Sequence, residues 1–276
     1  MSNRFERLSW GCLIALFVIN ATSIFGYAVF SLHPELLARW PWTQTVFQMS
    51  YAFFAKLQIV IAFVSLAFAL MAVCRGRWLP AFLLIAFVSS GSELLGTTFG
   101  IPFGKYEYTA LLGQKMFDRV PYLIPLSWFF MSTASFALSR HVFGNGRKSF
   151  GWRIVGASVL LLAWDLTLDP AMSHLSPFWI WSEPGVYFGT PLKNLVGWFV
   201  TGLANMLVLE VFGRKWINKL PSSFAALFYL ANLSLPLGLV IAAGLWTPVA
   251  VSVVVYALFG LKWVKWPGEM VDAGAV

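Results

Sequence analysis

The chain has 276 residues, 59% of them hydrophobic and 11% charged, with a mean hydropathy of +0.75. A soluble domain carries about a quarter charged residues. This composition excludes an ordinary soluble fold, and the recurring apolar runs imply an all-α, multi-pass transmembrane bundle. The net charge of +8 comes from Lys and Arg that flank those runs. They read as topology signals, not as a nucleic-acid surface.

Eight spans are expected, at about 9–31, 50–73, 78–98, 121–140, 152–169, 194–213, 222–243 and 247–263. The first lacks a small-residue cleavage site and reads as an uncleaved span. Residues 244–248, GLWTP, mark a tight hairpin between the last two. Thirteen Lys and Arg gather at one end of the spans, and five (Arg39, Lys105, Lys115, Arg119, Lys193) at the other. Lys56 lies within the second span. Basic loops stay in the cytoplasm, so both termini are expected there. No soluble domain fits between the spans. The expectation is one integral-membrane domain, 1–276, in the bacterial cytoplasmic membrane.

Acids inside the spans are the first functional signal. A carboxylate at the centre of a span costs about 2.5–3.5 kcal/mol on insertion scales, so each asks for a reason. Span five ends in LLAWDLTLDP, 161–170, with Asp165 and Asp169 on one helical face. Pro170 disfavours helical geometry at the residue before it, so the helix is expected to stop there. Glu93 lies about one to two turns from the outer end of span three. The three acids share a depth beneath the two longest loops, 99–120 and 170–193. Lys56, at similar depth, could neutralise one of them. Glu210 precedes Arg214 by four residues at the inner end and reads as a helix-end pair.

Small and polar residues accompany the acids. Gly96 and Gly100 form a GxxxG pair, which permits close helix contact. Asn194, Trp198, Thr201 and Asn205 form a stripe at helical spacing that should face the interior. It either lines a site or joins helices. The outer loops carry similar segments, 100–104 (GIPFG) and 185–189 (GVYFG), whose glycines and aromatics suggest ordered loops at membrane depth. Cys12 and Cys74 are expected as free buried thiols. His33, His141 and His174 lack ligand spacing, so no metal is implied. His33 and His141 read as surface residues, while His174 could shuttle protons. No GxGxxG follows a strand, and GNGRKS at 144–149 lacks the P-loop ending.

Residues 93–108 (ELLGTTFGIPFGKYEY), 121–128 (PYLIPLSW), 165–170 (DLTLDP), 179–181 (WIW) and 185–198 (GVYFGTPLKNLVGW) occur in this order. Together they resemble the membrane carotenoid biosynthesis family, over about residues 90–200. Its characterised members include CruF-type carotenoid 1′,2′-hydratases, and hydratases of the bacterioruberin pathway are related. The resemblance implies a carotenoid dissolved in the bilayer as substrate. It transfers no catalytic assignment.

Hydration of an isolated alkene needs a protonated acid, a stabilised tertiary cation and a water; it needs no cofactor. A carboxylic acid keeps its proton when desolvated and beside a second carboxylate. Asp165, Asp169 and Glu93 are therefore the catalytic candidates, with the donor left open among them. Aromatic faces stabilise a cation by about 0.5–2 kcal/mol each. Tyr106, Tyr108, Trp128, Trp164, Trp181 and Trp198, with Asn194, are the substrate-binding candidates, and Trp179 is a further aromatic candidate to face the cation. Two alternatives remain: an acid-initiated carotenoid cyclase, and a transporter or binding protein for isoprenoid lipids. The expected partners are the carotenoid and the lipid bilayer, with no nucleic acid.

Overall fold

A computed structural model of the protein describes residues 2–265. Eight long helices form an antiparallel bundle: α1 (Ser2–Gly26), α3 (Pro41–Cys74), α4 (Leu79–Phe99), α5 (Ile124–Phe143), α6 (Phe150–Asp169), α7 (Leu192–Val208), α9 (Ser222–Ala242) and α10 (Trp246–Lys265). Two short helices, α2 (Pro34–Ala38) and α8 (Arg214–Ile217), lie between them. Each expected span falls on one long helix, so the protein is an all-α helical membrane bundle. Five helical stretches are long and apolar enough to cross a bilayer by length and composition, one of them containing both α3 and α4. Helix α5 is not among them because it is the central helix. It packs against α3, α4, α6, α7 and α9, and buries Ser127, Ser132, Thr133, Ser135 and Ser139. A helix surrounded by protein can carry hydroxyls that a lipid-facing one cannot.

The bundle has polar groups inside and large apolar side chains outside. Asn20, Asn205 and Asn232 are fully buried, while Leu83, Phe87, Val196 and Val211 are exposed. Asn205 donates to Ser132 Oγ at 3.3 Å, joining α7 to α5. Asn194, at the other end of the same stripe, belongs to the acid site. The stripe therefore does both jobs.

Two prolines free backbone carbonyls, and each carbonyl is taken by an aromatic donor. Proline has no N–H to give to the carbonyl four residues earlier. Pro236 within α9 leaves the Asn232 carbonyl open, and Trp164 Nε1 donates to it at 3.1 Å. Pro170 leaves the Leu166 carbonyl open, and the Tyr187 hydroxyl donates to it at 2.6 Å. The expected stop at Pro170 does not occur. Asp169 keeps helical angles, and the chain widens into a π-helical turn, Pro170–His174, closed by Leu175 N to Pro170 O at 3.0 Å. With its i−4 bond already lost, the backbone tolerates the wider turn.

Antiparallel order brings the ends of α4 and α6 and the starts of α5 and α7 together at one end of the bundle. The loops there are ordered by pairing with one another. Strand β1 (Tyr106–Tyr108) pairs antiparallel with β4 (Trp179–Trp181), with Tyr106 opposite Trp181 and Tyr108 opposite Trp179. A second small ladder joins β2 (Lys115–Met116) to β3 (Val120–Pro121). The GxxxG pair serves these loops instead of a helix contact. Gly100 ends α4 at φ +72°, a conformation that favours glycine. A Cβ on Gly96 would lie 2.8 Å from Phe103 and 3.0 Å from Tyr106. Phe103 is wedged between Gly96 of α4 and Gly197 of α7.

The opposite end holds a buried ion cluster. Arg153 donates to both oxygens of Glu210, at 2.8 and 3.4 Å, and Arg140 and Arg214 approach the same carboxylate at 3.7 and 3.9 Å. The expected Glu210–Arg214 pair is the weakest arm of this cluster. Its placement far from the other acids gives it a structural role.

Candidate active site

Glu93 comes off the last two turns of α4, among small residues that let loop aromatics reach it. Three donors converge on its carboxyl. The hydroxyls of Tyr106 and Tyr108 donate to Oε2, the latter at 2.9 Å, and Trp128 Nε1 of α5 donates to Oε1 at 2.9 Å. Burial, and then the adjacent Glu93, hold both phenols well above the ordinary tyrosine range. Both stay protonated and donate. The carboxyl is thus arranged purely as an acceptor.

Asp165 and Asp169 lie one turn apart on α6 and share a donor. The side-chain amide nitrogen of Asn194, two residues into α7, donates to Oδ2 of Asp165 at 3.0 Å and to Oδ2 of Asp169. Asp169 Oδ1 accepts from Trp179 Nε1 at 3.0 Å. Asp165 Oδ1 is buried and has no hydrogen-bond partner among the described residues. No Lys, Arg or His forms an ion pair with any of the three acids among those residues. Lys56 instead lies beside Gly113 of the outer loop.

A cavity of about 40 Å³ separates Glu93 from Asp169. Asn194 and the rings of Tyr106, Trp128, Trp181 and Trp198 help to wall it. A cavity needs about 10–15 Å³ of such space to admit a water, so this one has room for water beside the acids. Trp128 and Trp198 stack with centroids 4.1 Å apart, and Trp181 lies against Tyr106 at 4.9 Å. Asp165 stands behind Asn194 and is fully buried.

The structure therefore brings together Glu93, Asp165, Asp169, Asn194, Tyr106, Tyr108, Trp128, Trp181 and Trp198. Trp164 does not line the acid cavity but packs edge-on against Trp198, with ring centroids 5.9 Å apart. Its N–H is committed to the carbonyl that Pro236 frees, and its ring faces a second cavity of about 60 Å³. His174 packs on Phe188 at 5.7 Å, away from the acids. Phe103 and Tyr187 escaped the sequence reading. Both lie in the glycine-bounded segments 100–104 and 185–189, whose aromatic positions were the available signal.

The cavities form a series. The 60 Å³ cavity shares Ile124, Ser127, Leu168 and Trp179 with the acid cavity. It shares Ala55, Met172, Phe178 and Leu235 with an apolar chamber of about 900 Å³. On the other side of Tyr108 lies a polar cavity of about 240 Å³, lined by Glu107, Lys115, Asp118 and Arg119. The acids thus stand between a series of apolar cavities and a polar one.

A 130-residue segment, 47% of the chain, is 29% identical to the bisanhydrobacterioruberin hydratase of Haloarcula japonica, and covers 44% of that protein. The match thus spans less than half of that relative's length. No solved structure matches the chain. The sequence profile of carotenoid biosynthesis proteins matches residues 54–259, well over half of the chain, including every acid described above. This chain belongs to the carotenoid biosynthesis protein family.

Proposed function

We propose that the protein is a carotenoid hydratase that adds water across the terminal 1′,2′ double bond of an acyclic end group. The observation that carries the reading is the position of the Asp169 and Glu93 carboxyls. They face one aromatic-walled cavity that shares walls with the apolar series. The hydratase name of the Haloarcula relative supports the same reaction type.

The chemistry assigns the roles. Asp169 borders the cavity and is the proton donor to the less substituted alkene carbon. Asp165, behind it and tied to it through Asn194, is a positioning residue that disfavours a second negative charge. Loss of the π bond leaves a tertiary cation. Glu93, with three donors holding its carboxyl in place, and the faces of Trp128, Trp198 and Tyr106 stabilise that cation. Water adds to it and gives its proton back to Asp169. The cycle consumes one water and no net proton or electron, so the reaction as written calls for no redox cofactor. General acid catalysis of this kind contributes about 10²–10⁴-fold.

We place the protein in the bacterial cytoplasmic membrane with eight spans and both termini inside, so that the acids lie near the outer face. Expression in a host that accumulates lycopene or γ-carotene tests the reading. A product heavier by one water with an unchanged chromophore supports it. An isomeric product with a shortened chromophore would mean cyclisation, and no new pigment from any acyclic carotenoid would overturn it.

A further inference from the structure

We infer that the 900 Å³ chamber holds the stem of a rod-shaped polyene whose end group reaches the acids, and that this chamber selects substrates by length and shape. The inference rests on the carotenoid reading above and adds a binding site to it. The chamber is built by the end of α1, the π-helical turn Tyr27–Ser31, α2 and the start of α3, with Met172, Phe178, Leu235 and Leu239 as its inner wall. It lies at the same end of the bundle as the acids.

The lining specifies the occupant. Nine of its 21 residues are aromatic and none is Lys, Arg, Asp or Glu. Several of its hydroxyls are already committed to backbone. Thr22 donates to Val18 O at 2.9 Å, Ser23 to Ile19 O at 2.8 Å, and Thr43 to Trp40 O at 2.6 Å. A phospholipid headgroup would find no charged side chain on this wall. A hydrocarbon with flat conjugated faces fits it by burial and ring contact.

Continuity gives the direction. Ala55, Met172, Phe178 and Leu235 wall both the chamber and the 60 Å³ cavity, and that cavity shares four residues with the acid site. One of the residues shared at this neck is Met172, whose unbranched side chain changes rotamer cheaply. At the far side Phe25, Trp40, Trp42 and Val46 are exposed and rim the opening. Most of the chamber wall precedes residue 54, where the family match begins. The acids belong to the family's common part; the chamber comes largely from the chain outside it.

The test uses the full-length protein purified in mild detergent from a carotenoid-accumulating host. Asp169→Asn is expected to retain pigment in a stoichiometric complex, seen by absorbance. Asp169→Asn combined with Ser50→Trp, which fills the chamber, should lose at least tenfold of it. Ala55→Trp at the neck should lower turnover of a full-length carotenoid at least tenfold relative to that of a short acyclic terpene bearing the same terminal alkene. Equal pigment with and without Ser50→Trp would overturn the inference. So would phospholipid recovered in place of pigment, or an Ala55→Trp variant that leaves the long-to-short ratio unchanged. Pigment retention is read without turnover, so it separates failure of the chamber from failure of the hydratase reading.

Discussion

The amide nitrogen of Asn194 lies between Asp165 and Asp169 and donates to both. One neutral group from α7 thus holds together two carboxyls of α6 that would otherwise repel. Asn194→Leu removes that donor and leaves buried acceptors unsatisfied, at a cost of about 1–3 kcal/mol. Turnover should fall roughly tenfold to a hundredfold, on the scale of about 1.4 kcal/mol per factor of ten. Pigment conversion at matched protein level, with thermal unfolding in detergent alongside, checks both effects.

The two aspartates are not equivalent. Asp169 borders the cavity and Asp165 does not. Asp169→Asn should abolish detectable hydration, a loss of about 10²-fold or more, in protein that still inserts. Asp165→Asn should leave measurable turnover with a shifted pH–rate profile, because it acts through its neighbour. Equal wild-type rates in both variants would show that neither carboxyl takes part.

Phe103 depends on two missing side chains. A Cβ on Gly197 would run into its ring, and Gly96 leaves room on the opposite side. Gly197→Ala should therefore displace Phe103 and the loop that carries Tyr106. Overpacking of this kind costs about 1–3 kcal/mol. The expected readout is a lower unfolding temperature together with weaker turnover, both partly restored by Phe103→Leu.

Glu210 offers the control. It is the shared partner of three arginines at the far end of the bundle. Removing one member of a buried pair costs about 3–5 kcal/mol. Glu210→Ala should unfold at markedly lower temperature, while the protein that remains folded hydrates at an undiminished rate.

The helices were readable because a span announces itself as a long apolar run, and Glu93, Asp165 and Asp169 because charge in such a run is costly. Asn194 and Trp198 stood out by their helical spacing. The pairing of β1 with β4 was not readable: YEY and WIW are three-residue segments in separate loops, too short to show a period. Pro170 misled, since the local rule describes a helix with no alternative. Here a wider turn and the Tyr187 hydroxyl absorb the lost bond. Trp164 sits beside Asp165 in sequence, but its N–H answers to a proline in α9, which only the folded chain reveals.

The short ladder between the loops has a mechanical consequence. Tyr108 holds Glu93, Trp179 holds Asp169, and these two aromatics face each other in the β1–β4 register. The gap between the two carboxyls is therefore gauged like the jaws of a calliper, with the strand pairing as its hinge. A slip of one residue would turn both aromatic donors away together. A change in either loop is therefore felt at both carboxyls.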